Sequence, residues 1–222
     1  DLHSFPTRRS SDLRFSILVL FVIAQGIPQE EVELSIPDMA KVLLNMVRTD
    51  PKGALQLVKM FRTTIIKTVK DYINKEPKLE MLLPMVEDIL SGDYIYVDRL
   101  FTILHDNSGM VDAIMNYEQK TEKDAIMFAA TICKVAAMRE LINDGINNYP
   151  VIWDFVVSMT PQAKPLVDWF KGHMTIIKEL LELMGLAENK NNFKTKMNEI
   201  IQKYADLPLE IKQGLEHVLS IL

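Results

Sequence analysis

Cysteine is nearly absent from this 222-residue chain, where Cys133 stands alone. That excludes an internal disulfide framework and a four-cysteine zinc site. Glycine is sparse as well, with eight residues and no glycine-rich run, which argues against a phosphate-cradling loop. A net charge of −5 offers no basic field to nucleic acid. No Asn-x-Ser/Thr triplet occurs, and no run of 18 apolar residues. The apolar run FSILVLFVIA, 15–24, has ten residues and falls short of the roughly 20 needed to cross a bilayer.

Residues 1–13, DLHSFPTRRSSDL, back-translate with permitted codons into a string that resembles a common short-read sequencing adapter. They read as a translated scar, so His3, Arg8 and Arg9 carry no weight for the fold. Residues 14–26 read as a truncated export leader: Arg14, the apolar run, then Ala24-Gln25-Gly26 with small residues at a cleavage position. An acidic spacer, 27–37, follows, and 38–222 reads as one helical domain. The leader predicts a secreted, extracellular protein with no integral membrane segment in its mature part. Beyond residue 26 the chain carries 22 basic and 28 acidic residues, and Cys133 has no partner there, so packing alone must hold it.

What the chain has in quantity is apolar spacing of three and four, the period of a helix rather than of a strand. Punctuation by Pro, Asp, Ser and Thr divides it into about ten amphipathic helices. One runs over 38–48. Asp50-Pro51 places a capping carboxylate before a proline at N1, where the missing N–H costs nothing. The helix it opens extends to about residue 74 with Leu55, Val58, Phe61, Ile65, Val69 and Tyr72 on one stripe. Pro77 opens the next, kinked at Pro84 and ended by Gly92. Helices over 94–105 and 109–119 follow. Thr121-x-x-Asp124 has the spacing of a capping box and opens a helix to about residue 143. Pro150 starts a short helix with Trp153 and Phe155. Thr160-Pro161 starts a long one whose face carries Leu166, Trp169, Phe170, His173, Ile177, Leu180 and Met184, with Gly185 as its C′ residue. Helices over 190–205 and 208–220 finish the chain. No alternating β-branched run appears, so the expected fold is all-α, packed as antiparallel hairpins through short loops.

A shift of 132 residues aligns 61–90 with 193–222, with seven matches in thirty positions, among them Phe61/Phe193, Leu83/Leu215 and Val86/Val218. Such a pattern would suit a helical repeat array whose neighbours cover each other's faces.

Catalytic and metal chemistry is thin. His173 sits among aromatic residues on an apolar stripe, the setting of a hydrogen-bonded core histidine. His105 ends a helix, where a cation suits the dipole. His217 has no second histidine four residues away, so no HExxH pair exists. Cys133 lies in the small-residue helix IMFAATICKVAAM and reads as a small buried hydrophobe. Asp106-Asn107-Ser108-Gly109 lacks the alternating acids of a calcium loop and reads as a turn. No catalytic residue, metal site or cofactor follows. A hydrolase built on His173 or Cys133 would need a second polar group that the sequence does not supply.

Thirteen methionines, all at or beyond position 39, are the unusual count. Methionine is flexible, polarisable and common at adaptable apolar surfaces. The expectation is therefore a secreted, non-enzymatic helical protein that carries a fatty or isoprenoid small molecule in a cavity lined by Met138, Trp153, Phe155, Met159, Trp169, Phe170 and His173. The alternative is an extracellular interaction module that recognises another protein through its helical surface and has no cavity.

Overall fold

The computed structural model describes residues 36–73, 77–118 and 120–222. The adapter-like run, the segment expected to be an export leader and nearly all of the acidic spacer lie outside the described residues. Among the described residues there are thirteen α-helices, two short 3₁₀ turns and no strand, so the fold is all-α. In chain order the helices are α1 Ile36–Thr49, α2 Pro51–Met60, α3 Arg62–Ile73, α4 Leu83–Ile89, α5 Ile95–Asp106, α6 Ser108–Met115, α7 Glu122–Lys134, α8 Ala136–Asn148, α9 Val151–Met159, α10 Lys164–Gly172, α11 Thr175–Gly185, α12 Lys190–Lys203 and α13 Leu209–Ile221. The 3₁₀ turns are Pro77–Leu82, before α4, and Pro161–Ala163, before α10. No helix among the described residues is long and apolar enough to cross a membrane.

The described residues divide into two compact units. Residues 36–77 and 86–106 make the first, where α1, α2 and α5 pack on one another. Val47, Val58, Ile65, Leu90 and Phe101 are among its most deeply buried side chains. Asp50 opens α2 as its spacing requires: the carboxylate accepts the Gly53 N–H at 2.8 Å and Pro51 takes the first turn. Gly92, at φ 57°, supplies the left-handed residue that ends the preceding helix without steric cost. Tyr94, at φ 56°, also adopts that conformation, which for a residue with a side chain is strained by about 1–2 kcal/mol. It is buried, and the Lys59 ammonium lies 5.4 Å from its ring centroid.

Residues 78–85 and 107–222 make the second unit. Here α11 is central, packing on α7, α8 and α12, while α13 closes on α12 and α7. Ile176, Leu183, Phe193 and Ile200 form the dry middle of this core. The Thr121 hydroxyl accepts the Asp124 N–H, and Asp124 accepts the Thr121 N–H at 2.7 Å, a complete capping box at the start of α7.

Ten expected helices become thirteen because three of the long ones are interrupted. Phe61, at φ −99° and ψ 12°, departs from helical dihedrals and divides the first into α2 and α3. Val135 is extended (φ −83°, ψ 115°) and separates α7 from α8. The guanidinium of Arg139 makes that break tolerable: Nη1 donates to the Cys133 and Lys134 carbonyls at 2.6 and 3.1 Å, two acceptors an uninterrupted helix would have used internally. The third break falls at His173, between α10 and α11, so the stripe from Leu166 to Met184 belongs to two helices rather than one. At Pro84 the change from 3₁₀ to α falls where the proline lacks an N–H to donate.

Gly185 also differs from its expected role. It closes α11 with negative φ, since Gly92 is the left-handed glycine among the described residues. Its reason is proximity: a β-carbon there would lie 2.6 Å from the Cys133 carbonyl oxygen and 3.3 Å from the Lys134 Cα. Gly185→Ala should therefore force α11 off the end of α7 and lower unfolding free energy by about 2 kcal/mol or more. Gly214→Ala, in α13 with nothing within 4 Å, should raise it by roughly 0.5–1 kcal/mol. Urea denaturation of both variants checks this; equal effects would mean Gly185 is not kept for close approach.

Candidate functional site

α9 is built from residues with little helical preference, VIWDFVVSM, and nine residues are too few to hold a helix in isolation. Its ends are tied by local bonds: Trp153 N–H to Pro150 O at 3.0 Å and Thr160 N–H to Val156 O at 2.9 Å. Seven of its nine residues are apolar, yet none is buried. Val156 and Met159 are each 37% exposed. α10 lies beside it, joined by the Lys171–Asp154 ion pair at 3.2 Å.

Four of the expected site residues meet here. The Trp153 and Phe170 rings stack at 5.7 Å, Phe170 meets Trp169 edge-on at 5.5 Å, and Trp169 stacks on His173 at 4.2 Å and 14°. Trp153, Trp169 and Phe170 are partly buried and pack against the core of the second unit. Phe155 and Met159 share α9 but are not in this row. Met138 is buried on α8 and is not among the residues packed against that core.

The sequence reading missed Asp206, in the turn between α12 and α13. Its Oδ2 accepts the Trp169 indole N–H at 3.1 Å and faces His173 Nε2 at 3.1 Å. The Trp169 bond foremost, with the backbone N–H of Asp206 and smaller effects of the His173 and Lys212 charges, holds its carboxyl below the ordinary aspartate value against the opposing effect of desolvation. His173 Nδ1 lies 2.9 Å from the Trp169 carbonyl. No family model, curated protein or solved structure matches this chain.

Other candidate groups serve the framework. Cys133 is buried, and burial pushes its thiol up against the opposing pull of Arg139, the reverse of an activated nucleophile. His105 bonds the Arg48 carbonyl at 2.8 Å, and His217 faces Glu122 at 3.0 Å on the surface. Among the described residues no three His, Cys, Asp or Glu side chains gather as a metal-ligand set.

Glu179 of α11 is a doubly engaged carboxylate. It accepts Lys203 Nζ at 2.6 Å and the Tyr204 hydroxyl at 2.8 Å, fastening α11 to the end of α12. Burial raises its carboxyl, but the Lys203 and Tyr204 hydrogen bonds together with the Lys203 and Lys196 charges outweigh it and hold the group below the ordinary glutamate value. A lowered carboxyl stabilises the fold above the ordinary value, and that contribution is lost as pH falls through the folded one. Glu179→Gln should therefore cost about 1 kcal/mol at pH 7, after discounting for solvent screening. The difference from the parent should shrink toward zero near pH 3. Denaturation at both pH values tests this, and a pH-independent difference would show that charge plays no part.

Proposed function

We propose that this chain is a secreted, non-enzymatic recognition protein that docks an apolar segment of a protein partner on the α9 face of its second unit. The observation that carries this reading is α9 itself: seven apolar residues of poor helical preference, none fully buried, with Val156 and Met159 each 37% exposed. Apolar side chains left partly open to solvent in this way offer a surface that a partner's apolar segment would cover. The ring stacking supports a partner over an enclosed small molecule, because the aromatic faces of Trp153, Phe170, Trp169 and His173 are turned to one another. Rigid, low-entropy aromatic anchors beside flexible methionine suit an amphipathic helix laid along the surface. The secreted state rests on the leader-like segment 14–26.

The second reading, carriage of a fatty or isoprenoid molecule, draws on the thirteen methionines and the two tryptophans. The two readings separate experimentally. A photo-crosslinker at Val156 should trap a discrete partner in extracellular fluid, whereas one at exposed Glu199 on α12 should not. Val156→Asp with Met159→Asp should weaken capture at least tenfold, since each removes an apolar contact worth about 1 kcal/mol or more. Each position is 37% exposed, so circular dichroism of the double variant should first show the helical fold retained. Identical crosslinking at Val156 and Glu199 would sink the docking reading. Saturable micromolar binding of a fluorescent fatty acid that survives the double substitution would favour the carrier.

A further inference from the structure

Burial sorts the methionines of this chain sharply. Met110, Met138 and Met197 are at most 5% exposed. Among the described residues two stand open: Met60, the last residue of α2, at 73%, and Met159, the last residue of α9, at 37%. A thiol is the usual first target of an oxidant in solvent, but Cys133 is only 5% exposed. Oxidation from solvent therefore falls on thioethers, and first on the two that water reaches. Their settings differ. Met60 belongs to the first unit, away from the α9 face. Met159 lies three residues after Val156, the spacing that puts both on one side of the helix. The four charges of α9 and α10 are paired with one another, Asp154 with Lys171 and Lys164 with Asp168. What these two helices offer a partner is therefore apolar contact.

We propose that Met159 is an oxidation site through which hydrogen peroxide weakens docking on the α9 face, and that Met60 undergoes the same reaction faster and without that consequence. The consequence rests on the docking reading; the chemistry does not. The thioether sulfur gives a lone pair to one peroxide oxygen. The O–O bond breaks and an S=O bond forms. The proton of the transferred oxygen passes to the departing hydroxide, which leaves as water. Sulfur loses two electrons and the peroxide gains them. The product replaces a flexible apolar side chain with a polar one that carries a hydrogen-bond acceptor. In the free protein water solvates that oxygen at both sites, so the fold tolerates it. Beneath an apolar partner segment it finds no donor, and burying it unpaired opposes docking.

The test treats the full chain with dilute hydrogen peroxide, removes the excess with catalase, and locates the added oxygen by peptide mass spectrometry. Met60 should convert first and Met159 next, ahead of Met110, Met138 and Met197 by roughly fivefold or more. Once Met159 is converted, crosslinking from Val156 in extracellular fluid should fall roughly tenfold, with the helical circular dichroism unchanged. Enzymatic reduction of both sulfoxide epimers should restore it. Met60→Leu should leave this loss in place. In Met159→Leu, treated and untreated samples should capture alike, whatever level that variant starts from. Met159 converting no faster than the buried methionines overturns the proposal. So does capture that survives its conversion, or a loss that persists in Met159→Leu. A chain that captures nothing at Val156 before treatment sinks the docking reading, and with it the regulation.

Discussion

The second unit depends on how closely α11 can lie against α7. Gly185 has no side chain to hold the two apart, so the last turn of α11 rests on the carbonyl end of α7, at Cys133 and Lys134. That approach brings Ile176, Ile177 and Leu183 into the middle of the core, where Phe193 and Ile200 of α12 complete it. Apolar packing of this density is sensitive to the volume of a single methyl group. With no crosslink to fall back on, the approach of α11 to α7 rests on the fit of their surfaces.

Polar groups in this protein work mainly at helix ends. Arg139 occupies the carbonyls released where α7 stops, Asp124 and Thr121 close its beginning, and Asp50 opens α2. Interrupting a helix leaves backbone acceptors that must find partners, and each break here has a side chain or a turn bond to supply one. At His173 the same requirement produces something more. The side chain that bonds the last turn of α10 also reaches Asp206, so a helix terminus becomes a junction between distant stretches.

How much of this the sequence disclosed follows from the range of the interactions. The helical class, the Asp50-Pro51 start and the Thr121/Asp124 box depend on residues within four positions, and each is present as its spacing implies. The end of α10 was also written locally, as Lys171-Gly172, a basic residue and a glycine where a helix stops, though the apolar stripe running through it hides the signal. The break at Val135 had no such mark, because Arg139 relieves it from the following helix. Gly185 is recognisable as special but not as a point of approach, since what it approaches lies fifty residues earlier. Trp169 and His173 sit four apart and fall together on any helical wheel, whereas Asp206, 37 residues beyond Trp169, joins them only through tertiary structure. That α9 would be only partly covered differs from what its apolar composition implies for a lone domain.

The burial of Cys133 has a consequence for handling the protein. Its thiol sits on α7 at the residue whose carbonyl meets Gly185, and only 5% of the residue is exposed. In an oxidising medium an unpaired thiol invites mixed disulfides and covalent dimers, and here the protein keeps it out of reach. Alkylation by a maleimide would then proceed only in the moments when α7 and α11 separate. The rate of labelling is a clock for the breathing of the very contact on which the core is built.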